Sequence, residues 1–234
     1  METTVCTPRL KLTLITTAKR GSPELEWLHE MRSDAQTTFW SIYGQAKSLE
    51  DTERFAKACL PEAPEEGGGK PKSYRVVYAV HEILQKLVTD TQPDVSHAEK
   101  PPRFVGLVTV RSLGGPNELT LPPQYTPAST HDPTTLSIEL AYQFLPISWG
   151  HGIATEAVST VLNVLKRATA FWQPFKRVYI RAIVNEENPA SLGVMRKLGL
   201  QNMGVWEWTG EAIWLGGKWT DRSRIWIFGK NLIE

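Results

Sequence analysis

The sequence predicts a mixed α/β domain built around one sheet, and two observations support this fold class. Apolar runs with strand-like alternation are interleaved with segments of helical periodicity along most of the chain. The 234 residues are 41% hydrophobic and 22% charged, which is a globular composition and long enough for a substantial core in a single domain. The 26 basic and 25 acidic side chains nearly cancel, so the net charge of +1 indicates neither a nucleic-acid partner nor an anionic membrane.

The first part of the chain is predicted to contain one strand followed by two helices. Residues 9–15 (RLKLTLI) alternate between polar and apolar side chains, which is typical of a half-buried strand. Helices are predicted over residues 23–43 and 48–60. Ser48 and Asp51 have the spacing of a capping box, in which a hydroxyl and a carboxylate satisfy free amides, so the second helix is expected to begin there.

The middle of the chain alternates strands with polar, proline-containing stretches. Residues 74–84 and 104–110 (FVGLVTV) are predicted strands. Residues 61–72, 90–102 and 113–135 combine proline with glycine or polar residues, so we expect them to be loop insertions.

The remainder of the chain is predicted to alternate strands and helices before it ends in two strands. Residues 137–145 (SIELAYQFL) form an apolar-rich strand, and residues 152–171 an amphipathic helix, because Ile153, Ala157 and Val161 recur near helical spacing. The predicted elements after this helix are a strand over 177–184, a short helix beginning at Pro189, and strands over 200–208 and 223–232.

Neither the cysteines nor the histidines have the spacing of a metal site. Cys6 and Cys59 are isolated thiols, and the five histidines show no ligand pattern. The first residues lack the basic and apolar regions of a signal peptide, and no run of about 18 apolar residues occurs. We therefore expect a soluble, intracellular, cytoplasmic protein without a metal, a membrane partner or a nucleic-acid partner.

Two glycines, Gly150 and Gly152, lie where the strand over 137–145 gives way to the helix over 152–171. Glycine permits unusual backbone angles and lets a ligand approach the backbone closely. The free amides of a helix's first turn, reinforced by the helix dipole, form an anion site that suits a pyrophosphate. A tight turn without a ligand is the alternative for the glycine pair alone, and no third glycine completes the dinucleotide fingerprint Gly-x-Gly-x-x-Gly.

The segment around these glycines resembles the acetyl-CoA loop of the GNAT acetyltransferases, which reads Gln/Arg-x-x-Gly-x-Gly/Ala. Gly152 and Ala154 occupy the last two defined positions, and Trp149 replaces the first. Tryptophan followed by Gly-x-Gly-x-Ala-Thr-Glu-Ala is similar to the branch that contains the ribosomal-protein N-terminal acetyltransferases. The resemblance implies that acetyl-CoA is bound by Trp149, Gly150, His151, Gly152, Ile153, Ala154 and Thr155.

A second match lies downstream, where residues 185–200 resemble the family's helix after the fifth strand, which begins with Asn-x-x-Ser. Asn188 is also the residue type expected to cap this helix, with Pro189 at the first position and Gly199 after the end. Both roles are compatible, because a capping asparagine keeps its amide NH₂ group for the pantetheine of acetyl-CoA. Residues 7–12, 104–107 and 218–221 also resemble segments of the family.

The resemblance implies a mixed, mostly antiparallel sheet of six or seven strands flanked by about four helices. The family's fourth and fifth strands, here residues 137–145 and 177–184, are expected to splay apart and hold acetyl-CoA between them. Backbone amides near Phe144 and Leu145 are then expected to polarise the thioester carbonyl. The amine attacks this carbonyl directly, without a covalent enzyme intermediate.

Two side chains are the predicted catalytic groups. Glu139 is the candidate base, acting through water on an alkyl ammonium whose pKa is ~10. A strand-edge or salt-bridged residue is the alternative for Glu139, and Glu207 and Glu211 are rival bases. In many family members, a tyrosine at the position of Met195 acts as the acid. Here the Ser191 hydroxyl is the predicted substitute, and the alternative is that Ser191 is a solvent-facing helix residue without this role.

The predicted function is acetyl transfer from acetyl-CoA to a primary amine, which is either a protein N-terminus or a small amine. The alternative is a non-catalytic acyl-CoA-binding domain that keeps the pocket without the chemistry. A monomer and a homodimer are both compatible with the sequence, and the loop insertions are expected either to shape the acceptor pocket or to mediate dimerisation.

Overall fold

The computed structural model describes residues 1–61, 74–84, 101–114 and 118–234. This part of the chain contains eight strands and four α-helices. In chain order they are β1 (Thr4–Cys6), β2 (Leu10–Leu14), α1 (Pro23–Ser33), α2 (Leu49–Cys59), β3 (Arg75–Glu82), β4 (Arg103–Ser112), β5 (Thr135–Phe144), α3 (Ile153–Arg167), β6 (Arg177–Asn185), α4 (Pro189–Lys197), β7 (Gln201–Leu215) and β8 (Lys218–Ile233).

The eight strands form one sheet in the order β1-β2-β3-β4-β5-β6-β8-β7. Every neighbouring pair is antiparallel except β5 and β6, which are parallel. The predicted mixed, mostly antiparallel sheet with four helices is therefore confirmed, with one strand more than expected. The additional strand is β1, whose three residues are too few to show a periodic pattern in the sequence.

The sheet separates two hydrophobic cores. On one face, α3 and α4 pack over alternate residues of the central strands, and this larger core includes Ile138, Leu140 and Phe144 of β5. On the other face, α1 and α2 cover a smaller core that includes Val77 and Leu107. Because side chains alternate along a strand, even-numbered residues of β5 face α3 and α4, and odd-numbered residues face the α1–α2 side.

The helix predicted over residues 23–43 ends ten residues early, at Ser33. Asp34 adopts an extended conformation (φ −79°, ψ 121°), and its side chain accepts a hydrogen bond from the amide of Thr37 at 2.6 Å. A short acidic side chain that bonds its own neighbouring backbone competes with the helix in this way. Buried Arg32 then holds the following segment, since its guanidinium donates to Ser41 Oγ (2.9 Å) and to the carbonyl of Gly44.

The two final strands are longer than the predicted ranges 200–208 and 223–232, because they continue into a hairpin whose turn is Gly216-Gly217. Both glycines have positive φ (62° and 76°), as a two-residue hairpin turn requires. The tip of this hairpin contacts the segment between α1 and α2. The Gly216 amide donates to the carbonyl of Phe39 at 2.9 Å, and a Cβ atom on Gly216 would lie 2.8 Å from the Trp40 ring.

The helix caps agree with the sequence predictions. Ser48 and Asp51 form a capping box at the start of α2. Asn188 Oδ1 accepts from the Ser191 amide at 3.1 Å, with Pro189 in the first turn of α4. At the other end of α4, Gly199 has φ 67°, and the amides of residues 199 and 200 donate to the carbonyls of residues 196 and 195, which is a Schellman motif.

The predicted insertions are described to different extents. Residues 61–72 and 90–102 lie outside the described residues except for positions 61, 101 and 102. The insertion over 113–135 is described apart from residues 115–117, and it contains 3₁₀ turns at Pro123–Tyr125 and Ala128–His131. Tyr125 fixes this insertion to the sheet, because its hydroxyl donates to the Val205 carbonyl at 2.9 Å. Within the described ranges, no helix has the length and apolar character needed to span a bilayer.

Candidate active site

Strands β5 and β6 separate halfway along their length. They pair from Thr135 opposite Arg177 to Glu139 opposite Arg181, and no pairing follows. Residues 140–144 of β5 and 182–185 of β6 therefore border an opening in the sheet, which we call the β5–β6 gap. This is the pair of strands that the sequence predicted to splay.

The hydrogen-bonding pattern of β5 defines which of its backbone groups face the gap. Leu113 donates to the Ser137 carbonyl (2.9 Å), and the Leu145 amide donates to the Val105 carbonyl (2.8 Å). In an antiparallel ladder, hydrogen-bonded and non-hydrogen-bonded pairs alternate, so odd-numbered residues of β5 bond β4 and even-numbered residues point the other way. Of the two predicted oxyanion amides, that of Leu145 is therefore engaged by β4, and that of Phe144 faces the gap.

The turn after β5 is held by Trp149. Its indole Nε1 donates to the Phe144 carbonyl at 2.7 Å, so this side chain fixes the turn to the end of the strand. Gly150 and Gly152 both adopt left-handed conformations, with φ of 77° and 76°. A Cβ atom at Gly150 would meet nothing within 4 Å, so the backbone of the turn is open to a ligand.

The first turn of α3 presents free amides beside this turn. The first intrahelical hydrogen bond runs from Glu156 to the Gly152 carbonyl (3.1 Å), so the amides of Ile153, Ala154 and Thr155 lack intrahelical acceptors. Gly152 is the N-cap residue and has no side chain to satisfy them. Free amides and the helix dipole at such a helix start favour an anion, which is the kind of ligand that the sequence predicts here.

Arg9 is a residue of this site that the sequence analysis did not single out. Its guanidinium donates to the His151 carbonyl at 3.1 Å and, through Nε, to Glu156 Oε2 at 2.8 Å. Glu156 also accepts from the Thr7 hydroxyl. Arg9 therefore ties the turn and the start of α3 to the beginning of β2, and it neutralises the carboxylate in the first turn of α3. The side chain of His151 itself is exposed.

The start of α4 places Asn188 and Ser191 on the α3–α4 side of the sheet. Asn188 uses its Oδ1 atom for the cap, and its Nδ2 atom makes no hydrogen bond to any residue that the structure describes. Ser191 is half-buried. Met195, at the position of the family's tyrosine, is fully buried and belongs to the hydrophobic core.

Glu139 is ion-paired with two arginines at the point where β5 and β6 separate. Arg111 donates to Oε1 at 2.9 Å, and Arg181 donates to Oε2 through Nε (3.1 Å) and a terminal nitrogen (3.0 Å). Arg181 is only 4% exposed and also pairs with Glu118 at 3.3 Å. Glu139 is thus salt-bridged, and it lies on the α1–α2 face at the base of the gap.

The rival glutamates lie on the β7–β8 hairpin, away from the base of the gap. Glu207 faces Arg222 across the hairpin at 3.6 Å, and Glu211 is exposed in a bulge of β7. Glu207 borders a cleft of 240 Å³ between the hairpin and the turn from β6 to α4. Other side chains that line this cleft are Trp40, Asn185, Glu186, Glu187, Lys218, Arg222 and Arg224. In the described part of the chain, no group of three or more His, Cys, Asp or Glu residues has the arrangement of a metal site.

Solved structures of acetyltransferases share this fold at low sequence identity. A GNAT-family acetyltransferase from Bacillus anthracis is 17% identical, with a TM-score of 0.53 over 98% of each chain. The ribosomal-protein-S5-alanine acetyltransferase from Vibrio fischeri is 13% identical, with a TM-score of 0.56 over 98% of this chain and 96% of that one. Spermidine N-acetyltransferase from Vibrio cholerae, solved with CoA and spermine, is 15% identical, with a TM-score of 0.50 over 93% and 95% of the two chains.

Comparison with curated protein sequences gives no significant match. A family model described as "Acetyltransferase (GNAT) domain" matches residues 10–201, which span every element from β2 to α4 and the start of β7. This match includes the β5–β6 gap, the turn at Trp149 and the free amides of α3. The chain therefore belongs to the GNAT acetyltransferase family.

Proposed function

We propose that this protein is an acetyl-CoA-dependent N-acetyltransferase that transfers the acetyl group directly to a primary amine in a ternary complex. The observation that supports this best is the continuity between the β5–β6 gap and the uncapped start of α3. An unpaired strand edge suits an extended, amide-containing arm, and the free amides beyond it suit a pyrophosphate. Acetyl-CoA has both groups in this order.

The described residues offer groups for each part of the donor. Free amides of Ile153, Ala154 and Thr155 would hold the pyrophosphate, together with the open backbone at Gly150 and Gly152. The Asn188 Nδ2 group would donate to a carbonyl of pantetheine. Trp149 would act by fixing the turn, since its indole nitrogen is already bonded to β5. The exposed His151 side chain would lie beside the phosphates.

Acetyl-CoA supplies the activated acetyl group. The chain is proposed to polarise the thioester carbonyl, to remove a proton from the amine and to donate a hydrogen bond to the departing sulfur. The Phe144 amide, which faces the gap, is the proposed donor to the oxyanion that forms when the amine attacks the thioester. Glu139 is the proposed base, acting through water, because it lies on the α1–α2 face of β5. For the departing sulfur, a hydroxyl at the start of α4 is the proposed donor, and Ser191 is the candidate from the sequence.

The acceptor would reach the gap from the α1–α2 side. The segment between α1 and α2 and the tip of the β7–β8 hairpin contact each other there, through Phe39, Trp40 and Gly216. The 240 Å³ cleft beside the hairpin is lined by the Trp40 ring, which would hold an alkylammonium group by a cation–π contact. Its three carboxylates are each ion-paired with a lysine or arginine of the same cleft, so a bound ammonium group would have to compete with these cations. The similar structures include a spermidine acetyltransferase and an acetyltransferase of a protein alanine, so both acceptor classes belong in the test. We also propose that the chain forms a single catalytic domain and that it belongs to the branch of the family that contains the ribosomal-protein N-terminal acetyltransferases.

The first experiment is calorimetric titration of the purified protein with acetyl-CoA and with CoA. One saturable site is expected for each ligand. Release of free thiol from acetyl-CoA is then followed with spermidine, spermine, single amino acids and peptides that begin with alanine or serine. Mass spectrometry of the acceptor identifies the acetylated nitrogen.

The outcomes separate the proposed activity from its alternative. Thiol release that depends on one acceptor class supports the enzyme and identifies the substrate. Saturable binding without turnover over the whole panel would instead favour a non-catalytic acyl-CoA-binding domain. A folded protein that binds neither acetyl-CoA nor CoA would contradict both.

A further inference from the structure

Arg181 is a buried cation that contacts carboxylates from two different parts of the chain. One terminal nitrogen of its guanidinium lies 3.0 Å from Glu139 Oε2 and 3.3 Å from Glu118 Oε1. The same nitrogen donates to the Leu119 carbonyl at 3.1 Å. A buried charge needs such partners, because water no longer solvates it. The proposed mechanism uses Glu139 as the base but gives Glu118 no part.

Glu118 belongs to the insertion over residues 113–135. Its second carboxylate oxygen accepts a hydrogen bond from the Gly114 amide, so the carboxylate is held at the start of this insertion. Tyr125 fixes the same insertion to β7 through the Val205 carbonyl. The insertion thus brings a negative charge to the side chain of Arg181, which belongs to the last pair of residues before β5 and β6 separate.

Proton transfer in the proposed mechanism would remove one of the two negative partners of Arg181. The proton passes from the attacking amine through water to Glu139, whose carboxylate becomes a neutral carboxylic acid, and no further reactant is needed. Among the described residues, Glu118 is then the carboxylate that remains beside Arg181. Because an unpaired buried charge is strongly unfavourable, Glu118 makes protonation of Glu139 less unfavourable.

The second arginine on Glu139 acts in the opposite sense. The side chain of Arg111, on β4, is 39% exposed, so water can solvate it when Glu139 is protonated. Tyr43, in the segment between α1 and α2, also interacts with Arg111. A neighbouring cation favours the ionised form of a carboxylate, so Arg111 weakens Glu139 as a base. Glu118 offsets the same effect of Arg181 on β6.

We propose that Glu118 is a positioning residue for the base, which keeps the buried Arg181 paired while Glu139 carries the proton and thereby makes Glu139 a stronger base. The inference rests on the proposed function, in which Glu139 accepts the proton of the amine through water. It gives the insertion over residues 113–135 a part in the reaction that is separate from shaping the acceptor pocket and from dimerisation.

The first test compares Glu118→Gln with the wild type, using the acceptor found in the amine screen. Glutamine keeps the length of the side chain and an acceptor for the Gly114 amide but removes the charge. The acid limb of the profile of kcat against pH reports the base in the ternary complex, and it should move to lower pH by about 0.5 to 1 unit. On the plateau, kcat should fall about two- to fivefold because the base is weaker. The KM for acetyl-CoA should stay unchanged.

Two further variants separate the effect of charge from an effect on the fold. Arg111→Met removes a cation from Glu139, so it should move the acid limb to higher pH. Asp132→Asn removes an ion pair between the same insertion and the same strand, since Asp132 contacts Arg177 of β6 at 2.8 Å. Arg177 is half-exposed and lies away from the gap, opposite Thr135, so this control should leave the acid limb unchanged.

A titration by nuclear magnetic resonance makes the test independent of turnover. Glutamate labelled with carbon-13 at the side-chain carboxyl group gives one signal per residue, and Glu139→Gln identifies the signal of Glu139 by its loss. In Glu118→Gln this signal should titrate at lower pH than in the wild type. In Arg111→Met it should titrate at higher pH.

The possible results have distinct meanings. An acid limb that Glu118→Gln does not move, or a carboxyl titration that it does not change, would overturn the inference while an active wild type upholds the proposed function. Shifts of the same sign in Glu118→Gln and Arg111→Met would also overturn it, because they would indicate a change in structure. If the wild type has no turnover with any acceptor, the proposed function fails, and the carboxyl titration still decides whether Glu118 acts on Glu139.

Discussion

Replacing Arg9 with methionine tests whether this arginine allows the proposed anion site to bind a phosphate although Glu156 carries a negative charge in the first turn of α3. Methionine keeps much of the length of the side chain but removes its charge and its donors. Arg9 is 49% exposed and Glu156 22% exposed, so their ion pair is expected to contribute at most about 1 kcal/mol to the free energy of unfolding. The variant should therefore fold, and its main defect should be in CoA binding.

The size of this defect follows from the charges at the site. Two unit charges about 8 Å apart in water interact by about 0.5 kcal/mol, so loss of one cation near a pyrophosphate with about two negative charges costs about 1 kcal/mol. Affinity for CoA should fall about fivefold at low ionic strength. Because the Debye length is about 8 Å at 0.15 M salt, the difference should shrink to about twofold there.

The double variant Arg9→Met/Glu156→Gln is the matched control, because it restores the net charge of the site. If Arg9 acts by neutralising Glu156, calorimetric titration should give an affinity for CoA within about twofold of the wild type. Two results would refute the reasoning. One is an unchanged affinity of Arg9→Met at low salt. The other is a double variant as weak as the single one, which would mean that Arg9 contacts the ligand directly or holds the turn through the His151 carbonyl.

Three further predictions concern the turn, the base and a buried histidine. Gly152→Val should abolish CoA binding in calorimetry while the protein still unfolds cooperatively. The control is Gly21→Val, at a similar positive φ of 79° far from the site, which should lose about 1 to 2 kcal/mol of stability and bind CoA normally. Glu139→Gln should bind CoA normally and slow turnover most at lower pH, and an unchanged pH–rate profile would place the base elsewhere. Burial between Trp27 and Phe104 lowers the pKa of His81, so the unfolded state binds a proton that the native state does not. The free energy of unfolding should therefore fall as the pH drops below about 6.5. Chemical denaturation at several pH values should show that the free energy of unfolding of His81→Gln depends less steeply on pH than that of the wild type.

The parts of the fold that could be predicted are those with a local cause. Seven of the eight strands and all four helices overlap segments predicted from the sequence, and the caps at Ser48 and Asn188 follow from side chains three residues from the amides that they satisfy. The helix end at Ser33 was missed because it depends on a hydrogen bond of Asp34 that competes with helical continuation. The hairpin arms were missed although Gly216-Gly217 is a typical turn pair, because their mixed polar and aromatic residues show no regular alternation.

The parts of the site that could not be predicted depend on contacts between distant residues. The turn at Gly150 and Gly152 has a local signal, and its geometry matches what the sequence indicates. Arg9 lies more than 140 residues away from the turn that it holds, and no spacing rule connects the two. The same holds for the two arginines on Glu139, since their contact with this carboxylate depends on the register of three neighbouring strands.

The register of β5 relates the two halves of the proposed reaction. Side chains alternate along a strand, so Glu139 and the even-numbered residues of β5 necessarily point to opposite faces of the sheet. Ile138 and Leu140 share the larger core with α3, so the even-numbered face of β5 is the face of the proposed donor site, and the amine is proposed to approach the odd-numbered face. A slip of one residue would move Glu139 to the face of α3 and α4 and turn the Phe144 amide away from the gap. The buried side chains that fix this register therefore also determine on which side of the gap the proposed base and the proposed oxyanion amide lie.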